Sequence, residues 1–284
     1  MVKYFLYGSL LYSLLISIGF VIEWVVARIN KKKYSTVFDE YSFGLNLVGY
    51  GVIFSFLLSI SDKYLEVAFF KIIIGVLFIT SIVSYFHLIA PIRHLFNIGK
   101  TQDFYPSFLS AELSEGYHFK VVDKAVVNAF STGILPFSRT ILIGKPLIDS
   151  LSDNELHSII LHEIGHLRER HLIKLYGVIL VVSLLNYFLL YGIIEFLHDL
   201  NNIVLELIII AMGSGLTGFL LWFVPGKFQY KMEYEADAFA AKINGVENMS
   251  QALKHLDQIS GFSITKGGIS HPALIKRLEN IHSL

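Results

Sequence analysis

Long apolar runs alternate along the chain with two polar blocks. Five stretches reach the ~20 mostly apolar residues that a membrane-spanning helix needs. They are Tyr4–Ala27, Ser42–Ile60, Val67–Ala90, Leu175–Ile194 and Ile203–Val224. Glu23, Lys71 and Glu206 are their only charges, with His87 near the end of the third. In the polar block between the third and fourth stretches, Pro91–Glu115 has helical character without strong periodicity. Tyr117–Val122, Val126–Ser131 and Arg139–Ile143 then read as strands, with Gly133 and Pro136 marking the turn between the last two. Ser152-Asp153-Asn154-Glu155 is a capping-box sequence that opens a helix covered by Leu156, Ile159, Ile160 and Leu161. No proline interrupts it before His171, so it is expected to run on toward the fourth stretch. Beyond the fifth stretch, Met232–Ile243 and Val246–Ile259 read as helices. A Gly/Ser-rich loop, Ser260–Ser270, leads to a short last helix after Pro272.

Composition agrees with a membrane reading. Of the 284 residues, 54% are hydrophobic and 16% charged, against about 25% charged in soluble chains, and mean hydropathy is +0.59. Five buried helices of a soluble domain would leave too little charged surface to cover them. A net charge of zero argues against nucleic acid as a partner. With no cysteine, the chain has no disulfide, thiolate metal site or cysteine nucleophile. The Tyr4–Ala27 run outlasts a usual signal-peptide core, lacks an A-x-A-like site and is followed by Lys31-Lys32-Lys33, so it reads as a retained span.

Basic residues predict the sidedness. Arg28 and Lys31–Lys33 follow the first stretch, and Arg93, Lys100, Arg168, Arg170, Lys174, Lys227 and Lys231 flank the last three on one side. Lys63 stands alone after the second, and Glu195–Asn202 has no Lys or Arg. The pattern predicts an N-terminus outside and the two polar blocks in the cytoplasm.

His162-Glu163-Ile164-Gly165-His166 carries the chemistry. On a helix, positions i and i+4 share a face, so both imidazoles can point at one metal ion. The intervening Glu can hold and deprotonate water, which is zinc-hydrolase chemistry. A third ligand is still needed. Glu233 and Asp237 are another i, i+4 pair, on the Ala-rich helix. One can ligate and the other can orient a ligating His; spacing does not choose between them. Ala236, Ala240 and Ala241 would let that helix come close. Glu235 points away from Glu233 and reads as surface. His171 lies one residue short of a metzincin third-ligand spacing and reads as a surface or interface residue. His118, His157 and His255 read as ordinary polar residues.

Taken in order, these residues resemble the membrane gluzincins, the family of HtpX-like heat-shock proteases and CAAX prenyl proteases. The match comprises H-E-x-x-H, two spans, then Glu233–Asp237 as E-x-x-A-D. It also includes Asn128-Ala129-Phe130, the lead-in Leu151–Leu156, and Ser270-His271-Pro272 with Arg277, so it covers roughly Val121–Ile281. The resemblance implies one zinc ion per chain held by His162, His166 and Glu233, with Glu163 as general base. It implies Asp237 behind a ligating His, His271 facing the site to stabilise an oxyanion, and Arg277 bracing that corner. A peptide substrate is expected to lie as an added strand along Val126–Ser131, against Asn128, Ala129 and Phe130, since strand addition aligns an extended peptide without demanding a sequence. Three predicted spans precede the metal helix where HtpX-like members usually have two, and CAAX members have seven spans in all.

The expected fold is mainly α and integral to the membrane: five transmembrane helices with a cytoplasmic α+β zincin-like catalytic domain split by spans four and five. Its regions are 1–90, a membrane region; 91–171, the first catalytic half; 172–225, two spans; and 226–284, the second catalytic half. The expected function is a zinc metalloendopeptidase of membrane or misfolded proteins in the lipid bilayer of a prokaryotic cell. The alternatives are processing of prenylated C-termini and a BlaR-like sensor-transducer; the short outer loops argue against the second.

Overall fold

The computed structural model describes residues 68–89, 91–92, 95, 101–122, 126–197, 202–268 and 270–284. The first two predicted spans and the lysine cluster lie outside these residues. The chain divides into two compact units, Met1–Ile79 and Thr80–Leu284. Helix α1, Ala68–Ser84, crosses that division and continues as a π turn, Tyr85–Ile89. The second unit is mainly helical with a small sheet.

Strands β1 (Thr101–Asp103), β2 (His118–Val122), β3 (Ala129–Thr132) and β4 (Thr140–Gly144) form one sheet among the described residues, in the order β1-β2-β4-β3. β2 and β4 run parallel, and β1 and β3 close the edges antiparallel. β4 is buried along its whole length, as a central strand of Ile141, Leu142 and Ile143 should be. The turn from β3 requires Gly133: at φ +89° a β-carbon would lie 1.9 Å from the Ser138 carbonyl oxygen. Two elements depart from the sequence reading. β1 stands where helical character is expected, although a four-residue helix α2, Ala111–Ser114, follows in the same block. β3 starts three residues later than the predicted strand, so Asn128 precedes it while its carbonyl still accepts the Gly144 N–H.

A short helix α3, Lys145–Ser150, leads to α4, Asp153–Arg168. The predicted capping box is present. The Ser152 hydroxyl faces the Glu155 N–H at 3.4 Å, and the Glu155 carboxylate accepts from the Ser152 N–H at 2.8 Å. Leu156, Ile160, Leu161 and Ile164 pack the apolar face of α4 against the sheet and the C-terminal helices. The helix does not run on as expected. It stops at Glu169, Arg170 turns left-handed at φ 58°, and a new helix α5 begins at His171 and ends at Leu197.

Helix α6, Ile203–Asn244, then runs unbroken through Pro225. The fifth predicted span and the Ala-rich helix are therefore one element. Helices α7, Val246–Ile259, and α8, Leu274–His282, complete the unit. Among the described residues, two helical stretches are long and apolar enough to cross a membrane, Ile72–Ile89 and His171–Ile193. They coincide with the third and fourth predictions; the fifth stretch, though helical, is not one of the two. Val181, Leu185, Phe188, Met212, Leu216 and Trp222 turn large apolar side chains outward from α5 and the first half of α6, as helix faces in contact with lipid would.

Burial pushes the Glu155 carboxyl up, but the Ser152 hydroxyl and backbone N–H, with His255, outweigh it and hold its pKa below the ordinary value. The cap is therefore complete at neutral pH and weakens as pH falls through that depressed value. Ser152→Ala should cost about 1 kcal/mol at pH 7. In chemical denaturation, the gap from wild type should narrow below roughly pH 4.

Candidate metal centre

The close approach of α4 and α6 builds the site. Gly165, between His162 and His166, faces Ala236, which lies between Glu233 and Asp237. A β-carbon on Gly165 would lie 3.1 Å from the Ala236 α-carbon and 3.3 Å from the Phe239 side chain. Ala240 and Ala241 continue the buried small-residue face. At the far end, Asn244 donates to the Asn154 carbonyl at 2.8 Å and to the Ser158 hydroxyl at 2.7 Å. Arg168 lies over the Phe239 ring at 5.7 Å.

This crossing brings His162, His166 and Glu233 together, with ligand atoms all within 4.8 Å of one another. The two imidazole Nε2 atoms are 3.1 Å apart, and the Glu233 carboxylate lies 3.7 Å and 3.5 Å from them. Both Nδ1 atoms are engaged behind. His162 Nδ1 approaches Asp237 at 2.8 Å, short but bent off a linear hydrogen bond. His166 Nδ1 is 2.9 Å from His171 Nδ1. With protons held at Nδ1, the two Nε2 lone pairs would converge beside a carboxylate, an arrangement suited to a cation. Two imidazoles and a carboxylate suit zinc by donor type.

Charge makes the same demand. Burial disfavours the anions of Glu233 and Asp237, yet their neighbours lower both pKa values, that of Glu233 well below its ordinary value. His166 and His271 act on Glu233, and Arg277 acts on both. Arg277 is buried and donates to both Asp237 oxygens, at 2.8 Å and 2.6 Å, with Glu233 at 3.3 Å. Burial works against its charge, but Asp237 and Glu233 outweigh it and hold it protonated above its ordinary value. Arg277 thus stands opposite both Glu233 and Asp237. Burial likewise opposes a charge on His166, and Glu233, Glu163 and Asp237 raise its pKa all the same.

The other predicted residues fall around the same cavity of about 480 Å³. Glu163, Asn128, Ala129, Phe130, His271 and Arg277 all line it. Asn128 and Phe130 are exposed and Ala129 is buried on edge strand β3. His271, 54% exposed, reaches Glu233 at 3.2 Å from the loop before α8. Asp257 shapes that loop by accepting from the Ile264 N–H and the Thr265 hydroxyl, and the Tyr230 hydroxyl donates to the Gly268 carbonyl. His118, His157 and His255 stand outside the cavity. One expectation is overturned. His171 is buried rather than at the surface, while Glu235, 35% exposed as a surface residue, also accepts from it at 2.8 Å. The chain break at Arg170 turns His171 back onto His166; the sequence carries no glycine or proline to announce it.

A family model described as peptidase family M48 matches residues 105–284. Protease HtpX of Pseudoalteromonas atlantica is 26% identical over 176 residues, 54% of this chain and 60% of that protein. CAAX prenyl protease 1 of Saccharomyces cerevisiae is 28% identical over 185 residues, 53% of this chain and 40% of that protein. The chain thus spans less than two thirds of the length of these relatives. A crystal structure of Ste24p from S. mikatae shares the fold with a TM-score of 0.63 at 20% identity, covering 86% of this chain and 65% of that one.

Gly165→Val should force α4 and α6 apart and weaken divalent-metal binding by at least tenfold, read by chelator competition; unchanged affinity would show that the contact yields freely. Arg277→Met strands two buried carboxylates and should cost about 3–5 kcal/mol in denaturant unfolding.

Proposed function

The chain belongs to peptidase family M48, and from that premise we propose that it is a membrane-embedded, zinc-dependent endopeptidase. The observation that carries the reading is the convergence of His162, His166 and Glu233 within 4.8 Å, with Glu163 beside them in the cavity. These three residues would hold one zinc ion. When bound, zinc supplies Lewis acidity, making water a competent nucleophile near neutral pH and polarising a peptide carbonyl.

The chain's own residues do the rest. Glu163 takes the proton from the attacking water and delivers it to the leaving amine nitrogen as the C–N bond breaks. Asp237 fixes the His162 ring, and Arg277 holds Asp237 and Glu233 in place and charged. His271 donates toward the negative charge that develops on the carbonyl oxygen. The substrate lies in extended form along Asn128, Ala129 and Phe130. There an edge strand offers main-chain hydrogen bonds without demanding a particular sequence.

In this reading the chain crosses the bilayer five times, with its N-terminus outside and both catalytic halves, 91–171 and 226–284, in the cytoplasm. The outward apolar faces of α5 and α6 support it. Membrane or misfolded proteins are the expected substrates. A second reading, processing of prenylated C-termini, is favoured by the likeness to CAAX prenyl protease 1. Cleavage of a farnesylated peptide, but not of a denatured membrane protein, would select it.

Purified full-length chain should carry about one zinc per molecule. Glu163→Gln should keep the metal and lose hydrolysis by roughly 10²–10⁴-fold, while Glu233→Ala should lose the metal. A metal-free preparation that still cleaves, or a Glu163→Gln variant of normal activity, would sink the proposal.

A further inference from the structure

Taking His162, His166 and Glu233 as the zinc ligands leaves a buried polar residue with no assigned task. His171 is 1% exposed, at the first position of α5. Its ring stands edge-on to His166, with centroids 5.0 Å apart. One nitrogen, Nδ1, meets His166 Nδ1 at 2.9 Å, and the other, Nε2, meets the Glu235 carboxylate at 2.8 Å. Glu235 is flanked by Lys174 at 3.9 Å and Lys231 at 3.6 Å. Three side chains from α4, α5 and α6 are thus joined in series.

We propose that His171 and Glu235 form a positioning relay that sets the tautomer and ring orientation of His166 as a metal ligand. The direction of the relay follows from elementary chemistry. An ionised carboxylate can only accept, so His171 must carry its proton on Nε2 and give it to Glu235. Neutral His171 then has a lone pair on Nδ1, which can only accept. His166 must therefore hold its own proton on Nδ1, which leaves its Nε2 lone pair directed into the cavity beside His162 Nε2 and Glu233. Reverse any one of these hydrogen bonds and His166 would present N–H to the metal. The relay performs for His166 what Asp237 performs for His162. It differs in consequence, because it fastens a ligand on α4 to the start of α5 and to the second half of α6. Lys174 and Lys231 balance the Glu235 charge from the solvent side.

The inference rests on the zinc reading above and is tested so that the two can fail separately. Full-length chain and variants are compared for zinc affinity by chelator competition, for the visible spectrum of the cobalt(II)-loaded form, and for metal-free thermal stability. His171→Phe keeps a ring in the buried space but has no nitrogen to accept. It should fold with a metal-free midpoint near wild type, yet bind zinc about 10–100-fold more weakly and show a shifted cobalt spectrum. Glu235→Leu should show the same loss. Glu235→Gln, which retains an acceptor oxygen of the same reach, should recover most of it. The His171→Phe/Glu235→Leu double variant should be no weaker than His171→Phe alone, because the groups act in series. Wild-type zinc affinity in His171→Phe, or in Glu235→Leu should the former not fold, would overturn the relay, as would losses that multiply in the double variant. Absence of zinc binding by the wild-type chain would instead overturn the zinc reading itself.

Discussion

The molecule depends on a close contact between two helices that the sequence keeps far apart. Two neighbouring histidines on α4 cannot complete a metal site, and the third donor sits on α6, after the chain has passed through α5 and back. Only small residues at the crossing, Gly165 on one side and Ala236 on the other, let the backbones approach until Glu233 comes within reach of both imidazoles. The flanking contacts hold the crossing from both ends, with Asn244 clamped to α4 at one and Arg168 on Phe239 toward the other. The sheet behind α4 supplies the rigid wall, and its edge strand β3 forms the rim of the cavity.

Bringing those helices together concentrates like charge. Glu163, Glu233 and Asp237 are all buried at the crossing, and Arg277 is the one guanidinium among the residues lining the cavity. A single Arg–carboxylate fork satisfies Asp237 in both oxygens but reaches Glu233 at a longer distance. Glu233 is instead shared among Arg277, His271 and the two imidazole Nε2 atoms. Buried charge is tolerated only when paired, so the energetic logic of the pocket calls for a positive ion at the point where the three donors meet. Stability and function are coupled there: the charges that disfavour the empty fold are the ones that favour the filled one.

Much of this was legible in the chain. The His162–His166 spacing, the Ser152–Glu155 cap and the small-residue face of the Ala-rich segment are local patterns, and local patterns survive translation into structure. What was not legible is relational. Spacing alone left Glu233 and Asp237 interchangeable; the choice lies in which carboxylate faces α4 at the crossing and which lies behind His162. β1 is only three residues long, too short for alternation to register. His171 and Glu235 read as surface because each was judged on its own helix. A left-handed Arg170 turns one of them inward. The start of α5 comes beside α6 and gives the other, still partly exposed, a buried partner.

That last point changes how the long helices should be regarded. Were α5 and α6 mere connectors between two halves of a soluble site, their ends would be free to drift with the bilayer. Instead His171 and Glu235 tie the start of α5 and the second half of α6 to the ring of His166, while Leu172, Leu175, Gln229 and Met232 from the same segments line the cavity wall. A His166 ring turned by a few tens of degrees would no longer aim its Nε2 lone pair at a metal held there.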